Sequence, residues 1–357
     1  MNYYKIIRPY IFKMQAEKAH NMAIKALRMG IVPKTKSPRN YGSKLGVAVA
    51  GIGFDSPIGL AAGFDKNAEI FAQTFRHGFG FAEIGTVTPK PQDGNAQPRL
   101  FRLVEDEAII NRMGFNNAGM EVARDNIDKS ERKSWCNYGR LGVLGVNIGK
   151  NKTTQNALDD YLLALEYMYD VADYITVNIS SPNTAGLRDL QGVAQFEEFI
   201  KMIMQERNVL ASFRGFMRPI FVKIAPDMND DELRGLLDLM LVYNVNGVIL
   251  TNTTTARPST LQSEYAHEVG GLSGAPLRDG ALHSLRVARD FVGDKLPIIS
   301  VGGIMNGADA VARIRAGASL LQLYSGLVYS GFGLVNEIKH ALLAELEREG
   351  LQNIAEL

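Results

Sequence analysis

Residues 220–251 read IFVKIAPDMNDDELRGLLDLMLVYNVNGVILT and have the pattern of a strand, a helix and a second strand. The apolar run at 220–225 is short and rich in β-branched and aromatic residues, which is typical of a buried strand. Residues 231–243 then place leucine and methionine at the period of an amphipathic helix, and a second apolar run follows at 247–251. Two strands joined by such a helix are predicted to be parallel neighbours in one sheet.

The same alternation extends over most of the chain. Eight short apolar runs occur, at 56–62, 80–88, 142–148, 174–179, 220–225, 247–251, 297–301 and 320–324. Helical patterns lie between them, for example at 159–172, 196–210 and 308–316. Eight strands that alternate with helices predict an α/β fold with a parallel sheet, most simply closed into a (β/α)8 TIM barrel. We predict this barrel domain over residues 41–357, with an insertion at about 89–140, which is too long for one helix.

The first 40 residues differ from the rest of the chain in charge. They hold nine Lys or Arg residues and one acidic residue, Glu17, whereas the net charge of the whole chain is only +1. Apolar residues recur there at a helical period in two segments, as Ile6, Ile7 and Tyr10 do in the first. We interpret residues 1–40 as a small domain of two amphipathic helices that binds a membrane surface. The alternative, which periodicity alone favours, is a solvated cap helix packed on the body.

Bulk composition excludes several classes of protein. No apolar run reaches the roughly 18 residues of a membrane-spanning helix, and the N-terminus lacks the apolar centre of a secretory signal. The near-neutral charge gives no support for a nucleic-acid partner. The single cysteine, Cys136, excludes an internal disulfide, and its place in the inserted region predicts a structural role.

Polar residues follow the predicted strands, at the barrel end where such enzymes carry their active sites. Most are amides and hydroxyls, joined by the two lysines Lys66 and Lys223 and by one prominent carboxylate, Asp65. No cluster of His, Asp and Glu is present, so the pattern predicts neither a metal site nor the paired carboxylates of a glycosidase. A neutral hydrogen-bonding rim favours a flat heterocycle and a cofactor that performs the chemistry.

Two further features favour a phosphorylated cofactor. The pair Gly302-Gly303 ends the seventh predicted strand and Ser325-Gly326 follows the eighth, which are the positions where these barrels often hold phosphate. Lys223 interrupts an apolar strand, and a buried ammonium needs a partner. A reduced flavin would provide that partner, and an internal salt bridge across the barrel mouth is the equal alternative.

The motifs at the strand ends resemble those of dihydroorotate dehydrogenases. They are GLAAGFDK at 59–66, NRMGFNN at 111–117, NISSPN at 178–183, VKIAPD at 222–227, TNTT at 251–254, GGLSG at 270–274 and VGGI at 301–304. The match runs in order over about residues 1–340. The resemblance implies FMN in a (β/α)8 barrel and oxidation of dihydroorotate to orotate in pyrimidine synthesis. Ser181 stands at the base position, where the cytosolic branch has cysteine, so the chain resembles the membrane-bound branch that reduces a quinone.

The resemblance also implies roles for individual residues. It assigns FMN to Ala62, Gly63, Phe64, Asp65, Lys66, Thr86, Asn147, Asn178, Lys223, Thr251, Gly274, Gly303, Tyr324 and Ser325. It assigns the pyrimidine to Lys66, Asn111, Arg112, Met113, Gly114, Phe115, Asn116, Asn178, Asn183, Asn252 and Thr253. It makes residues 1–40 the membrane and quinone-tunnel domain, and it places His20, Arg102 and Tyr324 at the quinone site. A surface or packing role is the alternative for His20, and Arg102 could equally tie down the insertion.

These assignments lead to a mechanism and to its competitors. We expect Ser181 to remove a proton from the carbon beside a carbonyl while the adjacent carbon passes hydride to the flavin, with Thr184 orienting a water. We expect a peripheral protein on the cytoplasmic face of the cell inner membrane. The alternatives are a soluble FMN dehydrogenase that uses fumarate or NAD, a tRNA dihydrouridine synthase, and a catalytically silent flavoprotein docked on a membrane.

Overall fold

The architecture is taken from a computed structural model that describes residues 3–33, 44–138, 142–184 and 186–357, with the backbone alone at residues 3 and 131–138. The strands are β1 Val47–Val49, β2 Ile52–Phe54, β3 Ile58–Leu60, β4 Phe81–Val87, β5 Leu100–Leu103, β6 Ala108–Asn111, β7 Val143–Ile148, β8 Tyr174–Asn178, β9 Ile220–Ile224, β10 Gly247–Leu250, β11 Gly271–Gly274, β12 Ile298–Val301 and β13 Leu320–Leu323. The helices are α1 Tyr3–Phe12, α2 Ala16–Arg28, α3 Phe71–Phe75, α4 Met120–Tyr138, α5 Ala157–Met168, α6 Val193–Arg214, α7 Asp230–Val242, α8 Arg278–Val292, α9 Gly307–Arg315, α10 Ser325–Ser330 and α11 Gly333–Glu349.

Eight of these strands form the closed parallel barrel that the sequence predicted. Their order around the barrel is β3, β4, β7, β8, β9, β10, β12 and β13, and β13 pairs with β3 to close the ring. Each lies inside one of the eight apolar runs of the sequence. The barrel strands are buried along their whole length, for example β9, because helices cover the outside while side chains fill the inside. The predicted (β/α)8 fold is confirmed.

Local sequence explains where the helix after β9 begins. Asn229 caps α7: its side-chain oxygen accepts from the backbone N–H of Asp231 and of Glu232, and the Glu232 carboxylate accepts from the backbone N–H of Asn229. This capping box satisfies N–H groups that the first helical turn leaves unpaired. The helix then buries Leu233 and Leu236 on the face toward the barrel.

The predicted insertion between the second and third barrel strands is present. It contains β5 and β6, which pair as an antiparallel hairpin, and then α4. The distant strand β11 adds to β6 and completes a three-stranded sheet, a partner that the sequence analysis did not predict. Cys136 lies in the part of α4 at 131–138, whose side chains are outside the described part of the structure.

The two N-terminal helices are present where the sequence predicted them. The Tyr4 hydroxyl donates to the Val328 carbonyl at 2.6 Å, and Arg8 donates to the Tyr329 carbonyl at 3.0 Å, so α1 is attached to α10. Exposed apolar residues remain on the outer face of α1, such as Tyr10 with 70% of its surface exposed. None of the helices in the described residues is both long and apolar enough to cross a membrane. The division into two domains stays a prediction, and residues 34–43 lie outside the described residues.

Candidate active site

A cavity opens at the C-terminal ends of the barrel strands, where the polar residues of the sequence were expected. It is lined by these predicted residues: Ala62, Gly63, Lys66, Thr86, Asn111, Met113, Gly114, Phe115, Asn116, Asn178, Ser181, Asn183, Lys223, Thr251, Asn252, Thr253, Gly274, Gly303, Tyr324 and Ser325. The fold therefore brings together most of the residues that the sequence singled out, although they are spread over most of the barrel sequence. The cavity has the position that barrel enzymes use for chemistry.

Amide and hydroxyl side chains form a hydrogen-bonded network at the floor of this cavity and directly beneath it. The Thr86 hydroxyl donates to Asn147 Oδ1 at 2.5 Å, and Asn178 Nδ2 donates to the same oxygen at 3.1 Å. Asn178 Oδ1 accepts from the Ser180 hydroxyl at 2.9 Å, and Asn252 Nδ2 donates to Ser180 Oγ at 2.9 Å. Because each group is held by its neighbours, the network presents donors and acceptors to the cavity in a preset pattern.

Ser181 lies in the loop that follows β8, with 6% of its surface exposed. Its Oγ accepts a hydrogen bond from the backbone N–H of Asn183 at 3.3 Å. Arg188 fixes this loop, since Nε donates to the Ser180 carbonyl at 3.1 Å and Nη2 donates at 3.0 Å to the carbonyl of Thr253, in the segment after β10. The Ser181 hydroxyl therefore belongs to the cavity wall and is shielded from bulk solvent.

Thr184 lies in the same loop and is also buried, with 7% of its surface exposed. Among the described residues, no hydrogen bond joins its side chain to Ser181. Its role in orienting a water for Ser181 stays a prediction.

Glycine backbone and serine hydroxyls form the wall near the ends of β12 and β13. Gly302 and Gly303 have φ angles of 108° and 72°, which side chains rarely tolerate. A Cβ atom on Gly303 would lie 2.3 Å from Cα of Arg278, so only glycine fits there. The hydroxyls of Ser273 and Ser325 are 2.9 Å apart. Exposed backbone N–H and hydroxyl groups of this kind suit a phosphate.

Two buried lysines bring positive charge to the cavity. Lys66 Nζ donates to the Gly63 carbonyl at 2.7 Å, and burial lowers the pKa of Lys66 to about 8. Burial also lowers the pKa of Lys223, while the nearby Glu83 carboxylate opposes this shift. No ion pair involves Lys223 in the part of the chain that the structure describes, so the salt bridge that the sequence left open is not observed.

Comparison with known proteins gives the family. A family model described as Dihydroorotate dehydrogenase matches residues 44–346. The chain belongs to the dihydroorotate dehydrogenase family. A curated protein of Xanthobacter autotrophicus named Dihydroorotate dehydrogenase (quinone) is 44% identical over 356 residues, which cover 100% of this chain and 98% of the relative. A protein of the same name from Bartonella henselae is 45% identical over 355 residues, which cover 99% and 95%.

Solved structures of the family have the same fold. The crystal structure of the Eimeria tenella dihydroorotate dehydrogenase in complex with ferulenol is 41% identical, with a TM-score of 0.90 over 95% of this chain and 94% of that one. The ligand-free enzyme from the same organism is 42% identical, with a TM-score of 0.90 over 95% and 97%. These likenesses confirm the resemblance that the strand-end motifs indicated.

Two side chains that were expected to bind the cofactor do not line the cavity. The Asp65 carboxylate accepts from the backbone N–H groups of Glu69 and Ile70, both at 2.8 Å, so it shapes the chain after β3 instead. Asn147 lies in full burial beneath the cavity floor, where it orients Thr86 and Asn178.

Phe64 and Arg112 also turn their side chains away from the cavity. The Phe64 ring packs edge-on against Tyr324, with ring centroids 5.7 Å apart. Arg112 pairs with Glu268 at 2.5 Å and lies over the ring of Phe101. Sequence alone did not reveal these directions, because they depend on partners that are distant in the chain.

The three residues expected at the quinone site lie on different elements: His20 is in α2, Arg102 is in β5, and Tyr324 lines the cavity at the end of β13. The His20 ring packs edge-on against Phe64, with centroids 5.2 Å apart, and Phe64 links it to Tyr324. Burial and the charge of Lys66 lower the pKa of His20 to about 3, so its ring is neutral at physiological pH. Arg102 donates to backbone carbonyls at the turn between α1 and α2, including that of Phe12 at 3.2 Å. Arg102 thus joins the inserted sheet to the helices.

Besides apolar lining residues, sequence reasoning missed the polar residues Gln322, Ser273 and Glu83. Gln322 and Ser273 line the cavity, and Glu83 lies beneath it. Gln322 and Glu83 are polar residues inside apolar strands, the same signal that drew attention to Lys223. Ser273 stands in the GGLSG motif beside Gly274, but the sequence analysis assigned only Gly274 of this motif to the site.

Proposed function

We propose that this protein oxidises dihydroorotate to orotate in pyrimidine biosynthesis, with FMN as cofactor and a membrane quinone as electron acceptor. The observation that carries the proposal is the position of Ser181, whose side chain lies in the wall of the same cavity as the amides of Asn178 and Asn252. A dihydropyrimidine has carbonyl and N–H groups, and an amide side chain can donate to the carbonyls and accept from the N–H groups. The relatives named Dihydroorotate dehydrogenase (quinone) support the same reaction.

The cavity fits FMN in three respects. Gln322 Oε1 is buried without a hydrogen-bond partner among the described residues, so it is available to a ligand donor. The backbone of Gly303 and the hydroxyl of Ser325 suit a phosphate. Lys223 adds a buried positive charge. When bound, FMN supplies the hydride acceptor and the redox link to the quinone.

We assign the base to Ser181 and the charge beside the substrate to Lys66. A serine hydroxyl is a weak base, so it needs a fixed position and a route for the proton. The loop contacts of Arg188 provide the position, and Thr184 in the same loop is our candidate for orienting a water that carries the proton away. Asn183 Nδ2 donates to the Asn111 carbonyl at 3.1 Å, which fixes the two proposed substrate contacts relative to each other.

The N-terminal helices are proposed to dock on the cytoplasmic face of the inner membrane and to admit the quinone toward His20 and Tyr324. Apolar side chains on α1 remain exposed, with Ile6 at 58% and Ile7 at 49%, next to basic residues of the same segment. Apolar and basic surfaces together favour an anionic lipid interface.

Turnover of the purified full-length chain tests the proposal. We expect bound FMN, bleaching of its absorbance by dihydroorotate without oxygen, and reoxidation by a short-chain quinone faster than by fumarate or NAD. Faster reoxidation by fumarate or NAD would favour the soluble dehydrogenase. A colourless protein that takes up no FMN and leaves dihydroorotate unchanged would refute the proposed function.

A further inference from the structure

Glu83 is a carboxylate buried inside the barrel that the proposed chemistry does not use. It lies in the middle of β4 and has no exposed surface. An ionised carboxylate without partners is costly in such a place, so its hydrogen bonds decide whether it belongs there.

Four donors from three other strands converge on this carboxylate. One oxygen accepts from Asn147 Nδ2 at 2.7 Å. The other accepts from Gln322 Nε2 at 2.7 Å, and from the hydroxyls of Tyr174 and Thr176 at 3.1 Å each. A carboxylate has room for about four such bonds, and it only accepts when ionised. The arrangement therefore fits an ionised Glu83 in full.

The direction of two amides follows from this arrangement. Because Asn147 must turn its NH2 group down to Glu83, its oxygen faces up and accepts from Thr86 and Asn178. Because Gln322 also turns its NH2 group to Glu83, its oxygen is left without a partner among the described residues, at the cavity that Gln322 lines. Glu83, which only accepts hydrogen bonds when ionised, therefore decides that the amide oxygens of Asn147 and Gln322 face away from it.

Glu83 also provides the negative charge opposite Lys223. Lys223 lies in β9 beside Asn178 of β8, lines the cavity and is buried. Glu83 is the carboxylate whose field favours its ammonium form. The other titratable group that contacts Glu83, Tyr174, has its pKa raised by burial and stays neutral. The charge of Glu83 therefore favours the charged form of Lys223, although no ion pair joins the two among the described residues.

We propose that Glu83 is a positioning residue for the cofactor cavity, which orients the amides of Asn147 and Gln322 and sets the charge that balances Lys223. This inference rests on the proposed function for the identity of the ligand, FMN. It assigns Glu83 two separable effects. The carboxylate geometry supports FMN affinity, and its charge disfavours the additional negative charge of reduced FMN.

Glu83→Gln tests both effects, because glutamine keeps the shape of the side chain but removes its charge and replaces one acceptor oxygen with an NH2 group. A glutamine presents NH2 to one of the amide donors, so we expect FMN to bind at least tenfold more weakly at pH 7. We also expect the ratio of the dissociation constants of reduced and oxidised FMN to fall about tenfold, which equals a rise of about 30 mV in the two-electron midpoint potential. Titration of FMN into the apoprotein and spectroelectrochemistry measure the two quantities.

Two further variants complete the test. Tyr174→Phe removes one donor but keeps the charge and both amides, so the potential should stay at the wild-type value. Glu83→Asp keeps the charge but shortens the reach, so FMN affinity should fall while the potential stays unchanged. This second Glu83 variant decides the matter if the Gln variant fails to fold.

The outcomes are distinct. Wild-type affinity and potential in Glu83→Gln overturn the inference while leaving the proposed function intact, provided the wild type binds FMN and is reduced by dihydroorotate. A shifted midpoint potential in Glu83→Asp overturns the role of the Glu83 charge. Unchanged FMN affinity in the same variant overturns the role of Glu83 in orienting the amides. A wild type that binds no FMN refutes the proposed function itself.

Discussion

The Arg188 guanidinium donates to the Asp227 carboxylate at 2.7 Å and thereby joins the loop after β8 to the loop after β9. Asp227 is itself held by the Thr254 hydroxyl and by the backbone N–H of Thr255, so the pair is part of a rigid network. The loop that Arg188 anchors is the one that carries Ser181. The geometry of the proposed base therefore depends on a contact outside the cavity.

Arg188→Lys should slow reduction of the flavin about 100-fold, because lysine cannot reproduce the forked contacts that hold the loop and small displacements of a reacting group are costly. Rapid mixing with dihydroorotate measures this rate. The matched control is Arg234→Lys, which changes an exposed pair with Asp231 far from the cavity. Equal rates in the two variants would show that the anchor has no role in positioning.

Ser181→Ala should slow flavin reduction by several orders of magnitude while FMN stays bound. The hydroxyl is the only part that the substitution removes, and proton abstraction has no other group assigned to it. Anaerobic rapid mixing gives the rate, and the flavin spectrum gives occupancy. Near-normal reduction would rule out Ser181 as the base.

Orotate affinity should depend on pH through Lys66. Its pKa is lowered from 10.5 to about 8 by burial, with Glu17 and Asp65 opposing the shift and Arg99 adding to it. Lys66 is therefore charged at pH 7 and loses its charge as pH rises through about 8. We expect the dissociation constant of orotate to rise above that pH, and Lys66→Met to remove this rise. A flat profile in the wild type would contradict the assignment.

Glu17→Gln should lower the free energy of unfolding by about 3 kcal/mol, since it leaves the Arg99 charge buried without its partner. The pair is 2.7 Å apart, with side-chain exposures of 7% for Glu17 and 9% for Arg99. Urea denaturation measures the change. Arg28→Gln, from the exposed pair with Glu69, is the control and should cost under about 1 kcal/mol. A loss as small as that of the control in Glu17→Gln would contradict a stabilising role for the buried Glu17–Arg99 pair.

Ile6→Asp combined with Tyr10→Asp should weaken binding to anionic lipid vesicles at least tenfold. Each exposed apolar side chain that enters the lipid interface contributes roughly 1.5–3 kcal/mol when fully buried. Flotation with vesicles measures the bound fraction. Val209→Asp, at a position of α6 with 61% exposure, provides the control. Unchanged binding in the double variant would place the membrane contact elsewhere.

The sequence by itself determined the barrel and most of the polar groups at its mouth. Strand positions followed from apolar runs, and residues at the end of each run, such as Asn178 and Thr251, reached the cavity because all parallel strands end at the same face. This information is local: period, composition and spacing are enough to place a residue at the end of a strand.

Tertiary structure alone decided which way the side chains point and what holds them. Asp65 and Arg112 stand within the motifs, yet each turns to a partner outside the cavity. Glu83 gained its importance from donors on β7, β8 and β13, and β11 joined the site by pairing with β6. Both faces of a barrel strand are buried, so alternation along the sequence does not separate inside from outside, and contacts across the barrel exist only once it has closed.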